Sequence, residues 1–383
     1  MNRFLTLTIA ILLLVAGQAR AQSPTPQAVL QNYATIVHAN YADAHIAARE
    51  LQQTIDAFLK APSAGGLASA RRAWLAARET YGQTEAFRFY GGPIDGSGGP
   101  EGRINSWPMD EAYVDSVRDS PKSGIVNNPK IAINRKTLSA LNEKGGEENI
   151  ATGWHAIEFL LWGQDLRADG PGDRTYTHFV DGGTAPNAAR RRLYLKTVTD
   201  LLVDDLQSLV KAWAPNAKNF RASFVRNPAN IAKILTGIGV LTRGELAGER
   251  LEVALDSQSQ EDEHSCFSDN THRDVIANAI GIRNVWRGEY KRADGSLIQG
   301  PSLRELVAAK DAAVASKVDA LMDATVAAAQ AIPAPFDQAI LAGNPGRAKV
   351  EAVVVALKAQ AQGLTEAARV LGLNRLNTSV EKK

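Results

Sequence analysis

The chain has 383 residues, with 43 Lys and Arg against 41 Asp and Glu and a formal net charge of +2. A charge this close to zero, with both signs interspersed, lacks the basic stripe that nucleic-acid binding requires. Cys266 is the one cysteine, so an internal disulfide framework is excluded. The composition therefore predicts neither a nucleic-acid partner nor a small disulfide scaffold, and the length allows about two domains.

The opening segment MNRFLTLTIAILLLVAGQARAQS combines Arg3, an apolar stretch and a small-x-small triplet that ends at Ala21. This pattern is typical of a secretory signal peptide, so residues 1–21 are predicted to be removed. The apolar stretch is shorter than the roughly 20 residues that span a bilayer, and no later stretch is apolar for that long. Without a cysteine at the cleavage point, a lipid anchor is not expected. We expect the mature chain in the periplasm or otherwise exported, with no transmembrane segment.

Helical periodicity dominates the rest of the chain. From Gln27 to Lys60 apolar residues recur at three- and four-residue spacing, behind Thr25 as a cap and Pro26 in the first turn. The same spacing predicts further helices at 67–89 and 187–213 and in segments that begin NPANIAK, PSLRELV and NPGRAKV. In the second of these segments, Ser302 and Glu305 have the spacing of a capping box.

The pattern predicts an all-α fold, because no convincing period-2 run interrupts the helices. Its most plausible form is two antiparallel helix bundles packed against each other, joined by long ordered loops. The break APNAKNF divides them, so the predicted domains are 22–213 and 218–383. The glycine- and proline-rich stretch YGGPIDGSGGPEGRINSWPMD predicts an ordered loop that packs on the bundle.

The stretch GWHAIEFLLWGQD carries the main candidate site. His155 and Glu158 are three residues apart, so on a helix their side chains share one face and can converge. One nitrogen and one oxygen donor suit Zn, Fe or Mn. The apolar neighbours predict burial, where a carboxylate needs a metal or a cationic partner. The pair is a metal site, a catalytic pair or a plain hydrogen bond, and an arginine is the alternative partner for Glu158; the candidates are Arg88, Arg103 and Arg283.

A second group of potential ligands lies at 261–274, in the sequence EDEHSCFSDNTHRD. It is either a source of further donor atoms or an acidic helix end with solvated side chains. The helix that follows carries Asn278 on an otherwise apolar pattern, and a buried amide needs a partner. Cys266 is predicted to be an inert core thiol.

Four blocks of the sequence resemble the imelysin family, also called the M75 peptidase family. GWHAIE fits its GxHxxE motif at Gly153, His155 and Glu158, and the other blocks are ETYGQTEAFRF, GPEGRINSWPMDEAY and EDEHSCFSDNTHRDVIANAIGIRNVWRG. The family includes proteins of the insulin-cleaving membrane protease and iron-regulated protein A types. The resemblance implies a two-domain helical protein of the bacterial envelope with its motif near the interface of the bundles, and related members take part in iron uptake.

The matching blocks and their polarity extend the candidate site. His155 and Glu158 are the predicted metal ligands, and Glu85 or the 261–274 segment would complete the set. Gly153 belongs to the motif. Further supporting residues are Arg103, Ser265 and Asn278.

The peptidase activity in the family's name meets a chemical objection. Zinc peptidases with short helical motifs use HExxH or HxxEH, and here Ala156 and Phe159 stand where those motifs need a glutamate and a histidine. The leading hypothesis is therefore a metal-binding protein of iron acquisition, with Fe as the first metal and Zn as the second. Its expected partner is an inner-membrane iron permease or another envelope protein. The alternatives are a metallopeptidase with Glu158 as the base, and a module that binds a peptide, haem or a partner protein.

Overall fold

Helices form most of the computed structural model, which describes residues 24–379. The predicted signal peptide at residues 1–21 lies outside the described residues. The α-helices are α1 Pro26–Lys60, α2 Ala64–Thr84, α3 Glu101–Ile104, α4 Glu111–Val114, α5 Arg135–Leu141, α6 Gly153–Trp162, α7 Ala188–Trp213, α8 Phe220–Phe224, α9 Ile231–Val240, α10 Val253–Ser257, α11 Thr271–Arg287, α12 Leu303–Ala308, α13 Ala312–Gln330, α14 Phe336–Ala339 and α15 Arg347–Val370. The all-α prediction is confirmed.

Polar caps begin the helices where the sequence predicts them. The Thr25 hydroxyl accepts a hydrogen bond from the backbone N–H of Ala28 at 3.2 Å, and Pro26 occupies the first turn of α1. Ser302 and Glu305 form the predicted capping box, since each side chain accepts from the backbone N–H of the other at 3.1 Å. These bonds satisfy amide donors that have no partner within the helix itself.

Two details of secondary structure differ from the sequence prediction. α2 ends at Thr84 instead of continuing to 89, and a 3₁₀ turn follows at Glu85–Phe87. A short antiparallel hairpin joins β1 (Glu289–Lys291) to β2 (Leu297–Gln299). The strands have three residues each, which is too short for an alternating pattern to be recognised in the sequence.

The helices form two bundles, and the apolar interiors of the bundles join into one continuous core. In the first bundle, α1 packs along α2 and α7, and α6 lies against α2 and α7. In the second bundle, α13 packs on α11 and α15, while α15 also contacts α9. Phe220 and Phe224 of α8 make edge-to-face contacts with Trp213 of α7, so α8 packs on the first bundle although it follows the predicted boundary. The boundary between 213 and 218 stays a prediction.

A π-helical segment, Leu241–Glu252, runs without interruption from α9 into α10. Its wider hydrogen-bond spacing changes which side chains share a face, and such segments are frequent at functional sites. Arg250 in this segment is buried and reaches across to the first bundle.

Glycines allow α2 and α11 to approach closely where the bundles meet. A Cβ on Gly281 of α11 would lie 2.4 Å from the carbonyl oxygen of Gln83. On α2, a Cβ on Gly82 would lie 2.7 Å from the Cβ of Ala277. Both distances are shorter than the van der Waals contact distance of the two atoms. Side chains at these positions would therefore force the helices apart.

The long loop between α2 and α5 is ordered around Asp115. The carboxylate of Asp115 is fully buried and accepts hydrogen bonds from Arg174 at 2.8 Å and from Arg191 at 2.6 and 2.9 Å. Both arginines come from segments later in the chain. The loop that the sequence predicted, residues 90–110, contains the short helix α3 and ends before Asp115, so the sequence did not indicate this anchor.

None of the helices within residues 24–379 is long and apolar enough to cross a membrane.

Replacement of Gly281 by Ala tests the close contact between the bundles. We expect a loss of about 1–3 kcal/mol in the free energy of unfolding, because the methyl group meets the backbone of α2. Gly65→Ala is the matched control, since a Cβ there has no neighbour within 4 Å, and it should stabilise by about 0.4–1 kcal/mol. Urea unfolding of the two variants measures both effects. Equal stabilities would contradict the contact.

Candidate histidine–carboxylate site between the bundles

Helix α6 carries the motif and is buried along its whole length. All ten residues of Gly153–Trp162 are buried, as expected for a helix that is apolar on every face. Gly153 has φ of +85°, and a Cβ there would lie 2.4 Å from the carbonyl oxygen of Ile104. Only glycine satisfies both constraints. Gly153 therefore places α6 directly against the ordered loop.

His155 and Glu158 lie on one face of α6, as their spacing predicted. Nδ1 of His155 is 2.9 Å from Oε2 of Glu158. The other carboxyl oxygen, Oε1, accepts hydrogen bonds from the backbone N–H of Ser268 at 3.0 Å and from its hydroxyl at 2.6 Å. Nε2 of His155 is buried and has no hydrogen-bond partner in the part of the chain that the structure describes. The pair thus leaves one imidazole nitrogen free.

A second histidine faces this pair from the 261–274 segment. The rings of His155 and His264 lie edge to face, with centroids 4.8 Å apart. Nδ1 of His264 is 2.9 Å from Oδ2 of Asp274, and that oxygen also accepts a short hydrogen bond from the Ser265 hydroxyl. Each bundle therefore presents a histidine that is held at Nδ1 by a buried carboxyl group.

Arg78 of α2 ties the second histidine to the first bundle. Its guanidinium donates to Oδ1 of Asp274 at 3.0 and 3.2 Å and to Oδ1 of Asn105 at 2.7 Å. Asn105 in turn lies 3.4 Å from Nε2 of His264, which is long for a hydrogen bond. Arg78 has a side-chain exposure of 1%, and its sequence context did not indicate that it belongs to the site. An arginine in an amphipathic helix gives no sequence signal that distinguishes a buried position from a surface one.

Glu85 belongs to a neighbouring network of charges. Oε2 of Glu85 accepts from Arg88 at 2.6 Å and from Arg250 at 2.7 Å. Oε1 is buried without a hydrogen-bond partner among residues 24–379. Arg250 also donates to Glu245 at 2.8 Å and to Asn278 at 3.0 Å. Glu85 is therefore held by arginines, and its charge acts on both histidines.

The remaining predicted residues have different roles. The side chain of Arg103 points away and pairs with Asp205 at 2.7 Å, while its backbone carbonyl accepts from the Thr152 hydroxyl next to the motif. Ser265 supports Asp274, as described above. Asn278 links Arg250 to the carbonyl oxygen of Gly82, so it supports the charge network.

The sequence offers three arginines as alternative partners for Glu158. Arg88 pairs with Glu85 and Glu101, and Arg103 pairs with Asp205. Arg283 lies 3.4 Å from Asp323. Within residues 24–379, the ion pairs of Glu158 include none of these arginines.

Burial keeps the central pair in its neutral form. Burial, and then the charge of Arg78, lowers the pKa of His155 to about 3. Burial raises the pKa of Glu158 to about 8 despite its bonds to Ser268. The pKa of His264 falls to about 3, again mainly through burial. Near neutral pH both imidazoles are therefore uncharged, which is the form that binds metals.

The donor atoms fit a metal ion in one respect and not in another. A metal-binding histidine usually has its second nitrogen held by a carboxylate, as Nδ1 is here, and its other nitrogen unpaired, as Nε2 of His155 is. Glu158, however, already bonds to His155 and Ser268. No group of three or more His, Cys, Asp or Glu side chains within residues 24–379 is arranged to hold a metal ion. The assignment of Glu158 as a metal ligand therefore stays a prediction.

The fold and the site together define a two-bundle helical protein with a buried histidine–carboxylate centre. The family described as Peptidase_M75: Imelysin matches residues 37–364. Because the match spans most of the sequence, the chain belongs to the imelysin family, and the resemblance noted in the sequence is confirmed.

Several known proteins are similar to this chain. Iron-regulated protein A of Synechococcus elongatus is 27% identical over 341 residues, which cover 86% of this chain and 82% of that protein. A protein of Parabacteroides distasonis described as an iron-regulated protein A precursor has a similar crystal structure, with a TM-score of 0.69 and 19% identity over 92% of this chain and 97% of that one. An imelysin-like protein from Psychrobacter arcticum gives a TM-score of 0.66 and 15% identity over 91% and 96%. These two structures establish the shared fold.

Asp274→Asn tests the ion pair that supports His264. The substitution leaves the buried Arg78 without its counter-charge, so we expect a loss of about 3–5 kcal/mol in the free energy of unfolding. Asp323→Asn is the control, because Asp323 is 55% exposed and its pairs with arginine should contribute about 1 kcal/mol or less. Denaturant titration followed by circular dichroism measures both. A loss at position 274 no larger than that at 323 would rule out a structural role for the pair.

Proposed function

We propose that this chain binds a transition-metal ion between its two bundles and serves in iron acquisition. The observation that carries the proposal is the unpaired, buried Nε2 of His155, which belongs to a neutral imidazole fixed by Glu158 and faced by His264. Imidazole nitrogen suits iron and zinc. Iron is placed first because two of the similar proteins are described as iron-regulated, and zinc is placed second.

Glu158 has a different role in this proposal from the metal ligand that the sequence predicts. His155 and His264 would bind the metal through their imidazoles. With the metal bound, the Glu158 carboxyl group would be ionised. Glu158 and Asp274 would then orient those rings by accepting from Nδ1, and the bonds from Ser268 would keep the Glu158 carboxylate in place. Glu85, with one unpaired oxygen nearby, is the candidate for a further ligand.

Electrostatics near the histidines allow a cation to be bound. Arg78 is neutralised by Asp274, and the positive charges of Arg88 and Arg250 are balanced by glutamates that include Glu85 and Glu245. Each of these three arginines is therefore paired with at least one carboxylate. A cation at this position meets neutral nitrogen donors inside a network of paired charges.

The wider role in the cell is part of the proposal. The leader that the sequence predicts at residues 1–21 supports export to the periplasm, where a metal carrier would deliver its ion to an inner-membrane iron permease or another envelope protein. In such a system the metal is cargo, so reversible binding by few protein ligands is suitable. The peptide-, haem- or partner-binding module remains the alternative if no metal binds.

A peptidase requires more than metal binding. Its general base must reach a metal-bound water. Glu158 has no exposed surface, and both of its oxygens are occupied by His155 and Ser268. The geometry favours binding over hydrolysis, and we propose no catalytic role for Glu158.

Two substitutions on α6 test the proposal and distinguish a ligand from an orienting residue. His155→Ala should abolish stoichiometric iron binding, because it removes the unpaired nitrogen. Glu158→Gln should weaken binding by about 10–100-fold without abolishing it, the usual effect of losing a group that orients a ligand. Isothermal titration with Fe²⁺ under anaerobic conditions, and with Zn²⁺, measures both.

The control for these variants is His38→Ala, which removes a partly buried histidine of α1 outside the site. Its iron affinity should equal that of the unmodified protein. Unchanged affinity in His155→Ala would reject the proposed site. Complete loss of binding in the folded Glu158→Gln variant would instead identify Glu158 as a ligand.

A further inference from the structure

Beside the histidine site lies a second group of buried acids that the proposed function does not use. We call it the acidic cluster, and its members are Asp165, Glu263, Asp269 and Asp337, which are 7%, 0%, 9% and 6% exposed. They come from the loop after α6, from the segment before α11 and from α14. Only Glu263 and Asp269 were part of the acidic segment noted in the sequence.

Hydrogen bonds hold these three parts of the chain together. Gln260 donates to the carbonyl oxygen of Asp165 at 3.2 Å. The side chain of Gln258 accepts from the backbone N–H of Ala342, just beyond α14, at 2.7 Å. Ser268, which precedes Asp269, binds Glu158. The 258–269 segment therefore lies between the other two and next to α6.

The carboxyl groups have few partners for their burial. Asp165 accepts from the backbone N–H of Arg167 at 3.0 Å, and Asp337 accepts from Gln338 at 2.6 Å. In the described part of the chain, no hydrogen bond reaches Oδ2 of Asp165, Oδ1 of Asp269 or Oδ1 of Asp337. The guanidinium of Arg167 turns outward to Asp169.

Glu263 is the most unusual member. It is completely buried, and neither of its oxygens has a hydrogen bond of ordinary geometry from any described residue. Thr271 lies beside it, and the charges of Asp337, Asp269 and Asp165 act on it. Glu263 therefore lies within electrostatic range of the other three carboxyl groups. A buried carboxylate in such surroundings is costly unless it is protonated or bound to a cation.

We propose that the acidic cluster is a second cation site, for a hard divalent ion of the Ca²⁺ class, separate from the histidine pair. Its donors are all carboxyl oxygens, which Ca²⁺ prefers, whereas the histidines offer nitrogen. Oxygen atoms from four residues in three parts of the chain match the irregular, multidentate coordination that Ca²⁺ accepts. The proposal rests on these carboxyl groups and not on metal binding at His155.

Binding involves movement of the side chains. As the carboxyl groups stand, no three of those within residues 24–379 converge closely enough for coordination. Rotation about the side-chain torsions of the Asp and Glu residues is therefore required, and the cation replaces the repulsion among them with attraction.

Protons and the cation compete for this site. Burial and neighbouring acids raise the pKa of Asp165 to about 6 and of Asp269 to about 7. Arg167 opposes these shifts, and Glu158 of α6 adds to the shift of Asp269. These raised pKa values also make the free energy of unfolding depend on pH when no cation is bound. The contribution of the cluster to stability is largest below about pH 4, and it is lost as the pH rises through 6 and 7. Cation binding should therefore strengthen with rising pH.

Thermal unfolding of the full protein with CaCl₂ tests the proposal. At pH 8, Ca²⁺ should raise the melting temperature, and at pH 5 the shift should be largely lost because protons occupy the carboxyl groups. Asp165→Asn and Asp337→Asn should each raise the apparent Kd for Ca²⁺ by about tenfold or more. Asp169→Asn should keep the shift, since Asp169 is 82% exposed and lies in the same loop.

Further arms of the experiment separate this site from the histidine site. His155→Ala should lose iron binding and keep the Ca²⁺ shift. Addition of Ca²⁺ to the unmodified protein in weak buffer at pH 7 should release protons, a readout that does not depend on whether the Asn variants fold. The proposal is overturned if Ca²⁺ neither raises the melting temperature at pH 8 nor releases protons. It is also overturned if the folded Asp165→Asn and Asp337→Asn variants bind Ca²⁺ as well as Asp169→Asn does, because surface charge then explains the effect.

Discussion

The ion pair between Arg78 and Asp274 is the interaction on which the central site depends. It joins α2 of the first bundle to α11 of the second, and both side chains are almost completely buried. Removing two charges from water is costly, so such a pair is stable only when its remaining hydrogen bonds are satisfied. Asn105, Ser265 and His264 satisfy them here. The position of His264 is thus fixed by the same contact that holds the bundles together.

The two histidines are similar in their surroundings although they come from distant parts of the sequence. Each has Nδ1 bonded to an acid, and each has its pKa lowered mainly by burial. The acids differ, however. Burial raises the pKa of Glu158, while Arg78 and the histidine itself hold the pKa of Asp274 well below its usual value against the effect of burial. One histidine therefore pairs with an acid that tends to be neutral, and the other with an ionised one.

The arrangement separates two kinds of donor atom within a short stretch of chain. His264 and Ser265 belong to the histidine site, whereas Glu263 and Asp269 belong to the acidic cluster. The 261–274 segment therefore contributes to both. Ser268 bonds to Glu158 between them. If both proposals hold, a change in the conformation of this segment would affect the two sites together, since a single backbone carries their donor atoms.

Local sequence patterns predicted most of the long helices, several of their caps, the family, and the shared helix face of His155 and Glu158. These properties depend on residues a few positions apart, so periodicity, capping preferences and the three-residue spacing on a helix are sufficient to predict them. It is the packing of the helices that makes His264 face His155, places Arg78 in support of it, and holds Glu85 between Arg88 and Arg250. It also brought Asp165 and Asp337 beside Glu263. Such contacts join residues far apart in sequence, because they are created by the packing of α2 and the π-helical segment against α11 and of α6 against α2. No local pattern records which polar side chains meet when those helices pack.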